Sequence, residues 1–368
     1  MKFTTQKNYF EEKLSLASRF TPTRISSIPS LQGCLLKISK NKSFVLTTNL
    51  NDFFLSEIET TIEDEGEIVF DIKKSLEFLS LLQDKEIHIE LEDNSLVIKQ
   101  NKTIGYFNTY PIEEFPQAPI IQGEEVLLKK DFVDNISFVL FNASKDEARP
   151  ILTGIYFTQD KKNTTMVSTD GFRLSIITQP LKESFPQITI PAHIIAEVVK
   201  LSKDKKEPLL TISTEQKLIK FNIGDIIIYS RLIDGDFPPF ERVIPKTLTT
   251  TVKLNRQDFI KNIRLVSVFA REQSDVVIFD IKKTGLYLRP KAQQKKTPEV
   301  YQELESFDGE EVKIAFNYKY VLEFLNNVST ESVIAQFNQS TTPGAFKPDN
   351  SSSNLHIIMP LRTEETTT

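Results

Sequence analysis

Ser168-Thr169-Asp170-Gly171-Phe172-Arg173-Leu174 reads as a hairpin turn carrying two residues that a turn does not need. Glycine accepts the positive φ of a tight primed turn and aspartate tolerates it, so Asp170-Gly171 marks the reversal. Met166-Val167 before it and Leu174-Ser175-Ile176-Ile177 after it read as strands. Phe172 and Arg173 lie on the far side of that turn without a local reason. Two distant stretches are expected to converge on them: Asp234-Gly235-Asp236-Phe237-Pro238-Pro239-Phe240-Glu241-Arg242-Val243 and Ile357-Ile358-Met359-Pro360-Leu361-Arg362.

Working outward, the chain repeats itself. Residues 9–20 have helical period, with Phe10, Leu14 and Ala17 on one face, and similar segments occupy 131–139 and 258–266. Their phenylalanines stand at 10, 132 and 259, a period of about 125 residues. A second signal agrees with it. Ile68-Val69-Phe70-Asp71, Ile188-Thr189-Ile190-Pro191 and Ile314-Ala315-Phe316-Asn317 each lead from a strand through a capping residue or proline into an amphipathic run. Short alternating strands lie between, such as Leu35-Leu36-Lys37-Ile38 and Ile226-Ile227-Ile228-Tyr229. The expected fold class is α+β: three similar domains at 1–121, 122–246 and 247–368, each with two helices packed on antiparallel strands. Glu114-Phe115-Pro116 and Asp236-Phe237-Pro238 mark the first two ends. Residues 339–354, rich in Ser, Thr, Asn and Pro, read as a surface loop, and residues 364–368 as a disordered tail.

Composition narrows the function. Among 368 residues, 45 basic and 50 acidic side chains leave a net charge of −5, so a nucleic-acid binder of this balance must segregate its charges. Eleven glycines are few for phosphate-cradling loops. No GxGxxG, Walker-type loop or nucleophile elbow occurs, and His88, His193 and His356 lack metal-ligand spacing, so no cofactor and no catalysis are expected. The single cysteine, Cys34, reads as a small core residue in a chain for a reducing cytoplasm. No leader and no membrane-spanning run are expected.

The basic residues are more suggestive. Lys13, Arg19, Lys73, Lys74, Lys200, Lys203, Arg256, Lys261, Arg264 and Arg271 fall on helical segments, and Arg24 follows the first. Singly each is a solvated helix face. Recurring on corresponding helices of three repeats, they would line one surface with positive charge.

Ser144-Lys145-Asp146-Glu147-Ala148-Arg149-Pro150-Ile151-Leu152-Thr153-Gly154, the turn, the stretch from Asp234 to Pro245 and the closing Met359-Pro360-Leu361-Arg362 together resemble the beta subunit of bacterial DNA polymerase III, the replicative sliding-clamp family. The resemblance runs over essentially the whole chain. It implies a head-to-tail homodimer forming a six-domain ring around duplex DNA, held by topology rather than sequence readout, in the bacterial cytoplasm at the nucleoid. It implies a peptide pocket lined by Leu152, Thr169, Gly171, Phe172, Arg173, Leu174, Pro238, Arg242, Val243, Ile357, Met359, Pro360, Leu361 and Arg362. Linear peptides of the replicative polymerase, the clamp loader, repair polymerases and mismatch-repair proteins would dock there. It places Arg24, Arg149, Lys73, Lys200 and Arg264 towards DNA, and Phe107, Val268 and Phe269 at the dimer interface. Phe172 stands where many relatives have histidine, and Thr363 where an aliphatic residue is usual. The contrasting reading is a three-domain peptide-binding scaffold that does not encircle DNA.

Overall fold

The computed structural model describes residues 1–24, 27–203, 207–291 and 298–366. Two helices occur in each repeat: α1 (Lys7–Ser18) and α2 (Ile72–Ser80), α3 (Lys130–Leu140) and α4 (Ala192–Ser202), α5 (Arg256–Ala270) and α6 (Tyr318–Asn326). The apolar stripe of each first helix is its packed face, with Phe10, Leu14 and Ala17 buried on α1, Phe132 and Ile136 on α3, and Phe259, Ile263 and Val266 on α5. The strand-to-helix junctions are side-chain caps in two of the three repeats. Asp71 accepts from the Lys74 amide at 3.1 Å and Asn317 from the Lys319 amide at 3.0 Å, while Pro191 ends the strand before α4. Asn255 caps α5 in the same way, accepting from the amides of Gln257 and Asp258.

By packing, the chain divides into two compact units, residues 1–129 with 200–232 and residues 130–199 with 233–368. In the first, thirteen strands of the described residues form one antiparallel sheet. The seam between repeats joins strand Asp52–Glu57 of the first repeat to strand Ile226–Arg231 of the second, in register from Asp52 opposite Ser230 to Ser56 opposite Ile226. The second unit holds a nine-stranded and a four-stranded sheet. Its seam joins Arg173–Pro180 to Asn354–Ile358, with Arg173 opposite Ile358 and Leu174 opposite Ile357. Both seams are made by strands far apart in sequence, so no local pattern announces them.

Phenylalanine fills the cores. Phe3, Phe10, Phe54, Phe70 and Phe221 are fully buried in the first unit, and Phe157, Phe259, Phe279, Phe316, Phe324, Phe337 and Phe346 in the second. Phe316, Phe337 and Phe346 meet as a triad with centroids 5.8 to 6.2 Å apart, at tilted to edge-on angles. Cys34 is buried too, and burial pushes its thiol well above the usual range, as expected of a core residue.

Two expectations about irregular segments are corrected. Residues 339–354 contain a strand, Gly344–Pro348, that pairs on both sides and buries Ala345 and Phe346. Its polar flanks concealed two residues of core. The tail does not fray at once: Glu364–Thr366 forms a 3₁₀ turn with Thr363 and Thr366 buried, their hydroxyls 3.0 Å apart. Residues 367 and 368 lie outside the described residues.

Candidate docking site at the Asp170-Gly171 turn

The turn forms where the sequence puts it, between strands Asn163–Thr169 and Arg173–Pro180, but by different means. Only Gly171 takes a positive φ, of 94°. Asp170 acts through its side chain instead, its Oδ1 accepting from the amides of Phe172 at 2.9 Å and Arg173 at 3.1 Å. Thr169 completes the structure, accepting from the Gly171 amide at 3.0 Å and donating to the Arg173 carbonyl at 2.6 Å. A turn so fully bonded from within is rigid before anything else touches it.

The two distant stretches do converge on it. The Met359 amide donates to the Phe172 carbonyl at 2.9 Å. Leu174 and Ile357 lie side by side in one apolar cluster with Val167, Ile176 and Ala345, and Phe237 and Phe240 pack against it. Phe237 stacks on Tyr156 at 4.7 Å, fixing the 234–243 stretch to the strand Gly154–Asp160. Above this floor stand exposed apolar side chains: Phe172 at 57%, and Val243 and Met359 at 39% each. Pro238, Arg242, Gly171 and Arg362 are also exposed, and Thr169, Pro360 and Leu361 half-buried.

Not every expected lining residue is accessible. Leu152, Leu174 and Ile357 are buried, so they form the floor rather than the wall. Leu361 packs against Val276, Ile278 and Ala315, and its amide donates to the Ala315 carbonyl at 2.8 Å. Arg173, expected at the rim, is only 8% exposed. Its Nε bonds Asp170 Oδ2 at 3.0 Å, Nη1 pairs with Glu323 of α6, and the guanidinium lies 4.5 Å from the Tyr320 ring centroid. Glu323 and Tyr320 escaped the sequence reading because α6 looked like an ordinary amphipathic helix. The only hint was a carboxylate and an aromatic one turn apart on its polar side.

Beneath the turn lies a buried polar trio. Asn142 Nδ2 donates to Ser175 Oγ at 2.6 Å, and Ser175 Oγ lies 2.8 Å from His356 Nδ1. The His356 ring stacks on Phe324 at 5.1 Å. With Nδ1 accepting, the ring proton belongs on Nε2, and Nε2 has no partner among the described residues. Burial, aided by the charge of Arg173, pushes His356 down to about 3.

The residues expected to face DNA are distributed unevenly. Lys73, Lys200 and Arg264 are exposed on α2, α4 and α5. Arg24 is exposed beyond α1, its carbonyl accepting from Gln32 Nε2 at 2.9 Å. Arg149 is turned to the docking face: it pairs with Asp146 at 3.0 Å and reaches the Asp170 carbonyl at 3.4 Å. Lys13 is buried in an ion pair with Asp225, and Arg256 donates to the carbonyls of Thr330 and Leu325. The surface charge expected of all three repeats is therefore not uniform. On α3, Asp131 and Asp134 are exposed, and on α1 Glu12.

Of the expected interface residues, Val268 and Phe269 are more than half exposed on α5. Phe107 instead packs inward on Phe78 at 5.4 Å, and strand alternation turns Tyr106 out. A separate polar cavity of about 640 Å³, bounded by Tyr9, Lys13, Glu57, Glu59 and Asp225, involves none of these residues. No helix among the described residues is long and apolar enough to cross a membrane.

Three α+β repeats, with an apolar face gathered around the Asp170-Gly171 turn of the second, define a protein of repeat architecture. Models of the N-terminal, central and C-terminal domains of the DNA polymerase III beta subunit match residues 1–119, 127–239 and 241–362. The beta sliding clamp of Halalkalibacterium halodurans is 26% identical over 99% of this chain and all of its own, and that of Bacillus subtilis 25% over the same shares. Solved sliding clamps share the fold. That of B. subtilis superposes with a TM-score of 0.91 at 24% identity over 99% of both chains, and that of Thermotoga maritima with 0.90 at 24% over 98% and 99%. The chain belongs to the DNA polymerase III beta subunit family, the sliding clamps, which are non-catalytic processivity factors of the polymerase holoenzyme.

Proposed function

We propose that two copies of this chain close head to tail into a six-domain ring around duplex DNA, with domains bounded at 1–121, 122–246 and 247–368. The match of all three family domains, in order and over nearly the full length, carries this reading. Topology holds the ring on DNA. Lys73, Lys200, Arg264 and Arg24 guide the phosphate backbone, an attraction that weakens with salt and carries no sequence preference. A net charge of −5 limits adhesion elsewhere.

The face at the Asp170-Gly171 turn is the docking site for extended peptides with Leu and Phe anchors. Leu174 and Ile357 form its floor, and Phe172, Val243 and Met359 form its rim. Aromatic and thioether side chains over a packed floor suit such anchors. A solved Pseudomonas aeruginosa clamp bound to griselimycin, with a TM-score of 0.90 to this chain, supports a ligand-binding role for the fold. Replicative polymerase, clamp loader, repair polymerases and mismatch-repair proteins are the partners this reading assigns.

The test is retention on DNA. After loading on a nicked circle, the protein stays bound through gel filtration in high salt and leaves once the circle is cut. Equal retention on circular and linear DNA overturns the topological mechanism. A stable monomer that still binds peptide favours the non-encircling scaffold.

A further inference from the structure

We infer that Glu323, on α6 and outside the docking face, is a positioning residue that sets the geometry of that face through Arg173. The inference rests on the docking role proposed for the turn. Its basis is a closed circuit of contacts. The Phe172 carbonyl holds the Met359 amide at 2.9 Å, and two residues on the Ala315 carbonyl holds the Leu361 amide at 2.8 Å. Ala315 belongs to strand Val312–Asn317, which runs directly into α6, where Asn317 is the cap. From α6, Glu323 reaches back to the Arg173 guanidinium, whose Nε is bonded to Asp170 in the turn. Rim, strand, helix and turn are thus joined in a ring, and the Glu323 to Arg173 pair is its one salt link between α6 and the turn among the described residues.

The chain contains its own control for what this link does. In the first repeat, Thr48-Asn49-Leu50-Asn51-Asp52 makes the same turn bond for bond. Thr48 Oγ1 donates to the Asp52 carbonyl at 2.8 Å and accepts from the Leu50 amide at 2.9 Å. Asn49 Oδ1 accepts from the amides of Asn51 at 3.0 Å and Asp52 at 2.8 Å. The Asn51 carbonyl accepts from the Arg231 amide at 3.2 Å, as that of Phe172 does from Met359. Even the positive φ is kept, at Leu50 in place of Gly171. Where Arg173 stands, this turn has Asp52, bonded to Ser230 at 2.6 Å. Its bonds therefore form without an arginine.

The arginine link is not needed to make the turn; it fixes where the turn sits against α6 and the Met359–Leu361 strap. Asp170 cannot do this, because it moves with the turn. Glu323 can, because it is anchored on another element while its side chain remains 47% exposed. Charge-assisted pairing of a buried guanidinium with an outside carboxylate gives orientation as well as energy.

The experiment measures binding of a synthetic peptide bearing Leu and Phe anchors to the full-length protein and to Glu323→Ala, Glu323→Gln and Met359→Ala. Glu323→Ala is expected to weaken binding about tenfold, equivalent to roughly 1.4 kcal/mol, mainly through faster dissociation. Glu323→Gln, which keeps an acceptor but not the charge, should fall between it and the wild type. Amide exchange at Met359, which bonds across to the turn, should quicken in Glu323→Ala while that of Arg231, its counterpart at the first-repeat turn, stays unchanged. Unaltered affinity in Glu323→Ala, with Met359→Ala weakened, overturns the positioning role and leaves docking intact. If Met359→Ala binds as the wild type, the docking reading fails and this one with it. Equal quickening at both turns makes Glu323 merely structural and overturns the proposal.

Discussion

Arg173 and Lys13 show what a single residue's sequence neighbourhood conceals. Arg173 reads as a pocket-lining residue and Lys13 as one more surface cation, yet each is buried against a carboxylate far along the chain, Glu323 at a separation of 150 residues and Asp225 at 212. Burying such a charge is tolerable only with its partner in place. By contrast, Asp170 and Gly171 were legible because their bonds are local. His356 is a third case, since nothing around it in sequence foretells its burial with Asn142 and Ser175. Its ring ordinarily titrates near 6.5 and is held to about 3 in the fold. The unfolded chain therefore binds the extra proton between those values. The stability contributed by the neutral ring is complete above pH 6.5 and is lost as pH falls towards about 3, at up to roughly 1.4 kcal/mol per pH unit. Urea unfolding across that window should show a shallower pH slope in His356→Gln than in the wild type. Identical slopes would mean that other groups govern acid sensitivity.

Helices were read well because period and cap coincide. Asn317 announces α6 in sequence and makes the bond that capping requires, and Asn255 caps α5 likewise without having stood out in the sequence. Replacing Asn255 by alanine leaves the amides of Gln257 and Asp258 without their acceptor and should cost about 1 kcal/mol. A midpoint in urea unchanged from the wild type would show that water serves those amides equally well. Strands fared worse where composition misled. Gly344–Pro348 sits in a stretch rich in Ser, Thr and Asn, and its burial is decided by residues 333–336 and 356–358 pairing around it rather than by its own pattern. Strand preference expresses fit to neighbours, and here the neighbours come from other parts of the chain.

At the scale of the whole molecule, the threefold repeat and the α+β class were legible from recurring phenylalanines and strand–cap–helix junctions, whereas the seams between repeats were not. Assembly is the property these seams leave open at the surface. Val268 and Phe269, with Leu265 beside them, form an exposed apolar patch on α5. Paired replacement of Val268 and Phe269 by aspartate should convert a dimer to a monomer in sedimentation, while peptide docking at the turn persists. A dimer that survives the double change would place the contact elsewhere. The seam between Asp52–Glu57 and Ile226–Arg231 has a further consequence, for synthesis. A ribosome adding about 5 to 20 residues each second needs roughly 10 to 35 s to make the 170 or so residues separating Ser56 from Ile226. Through that interval one side of the first-made strand has no native mate, and its bare amides and carbonyls can join those of another nascent chain. Slow translation or crowded polysomes should therefore raise misassembly of this protein more than its final stability would suggest.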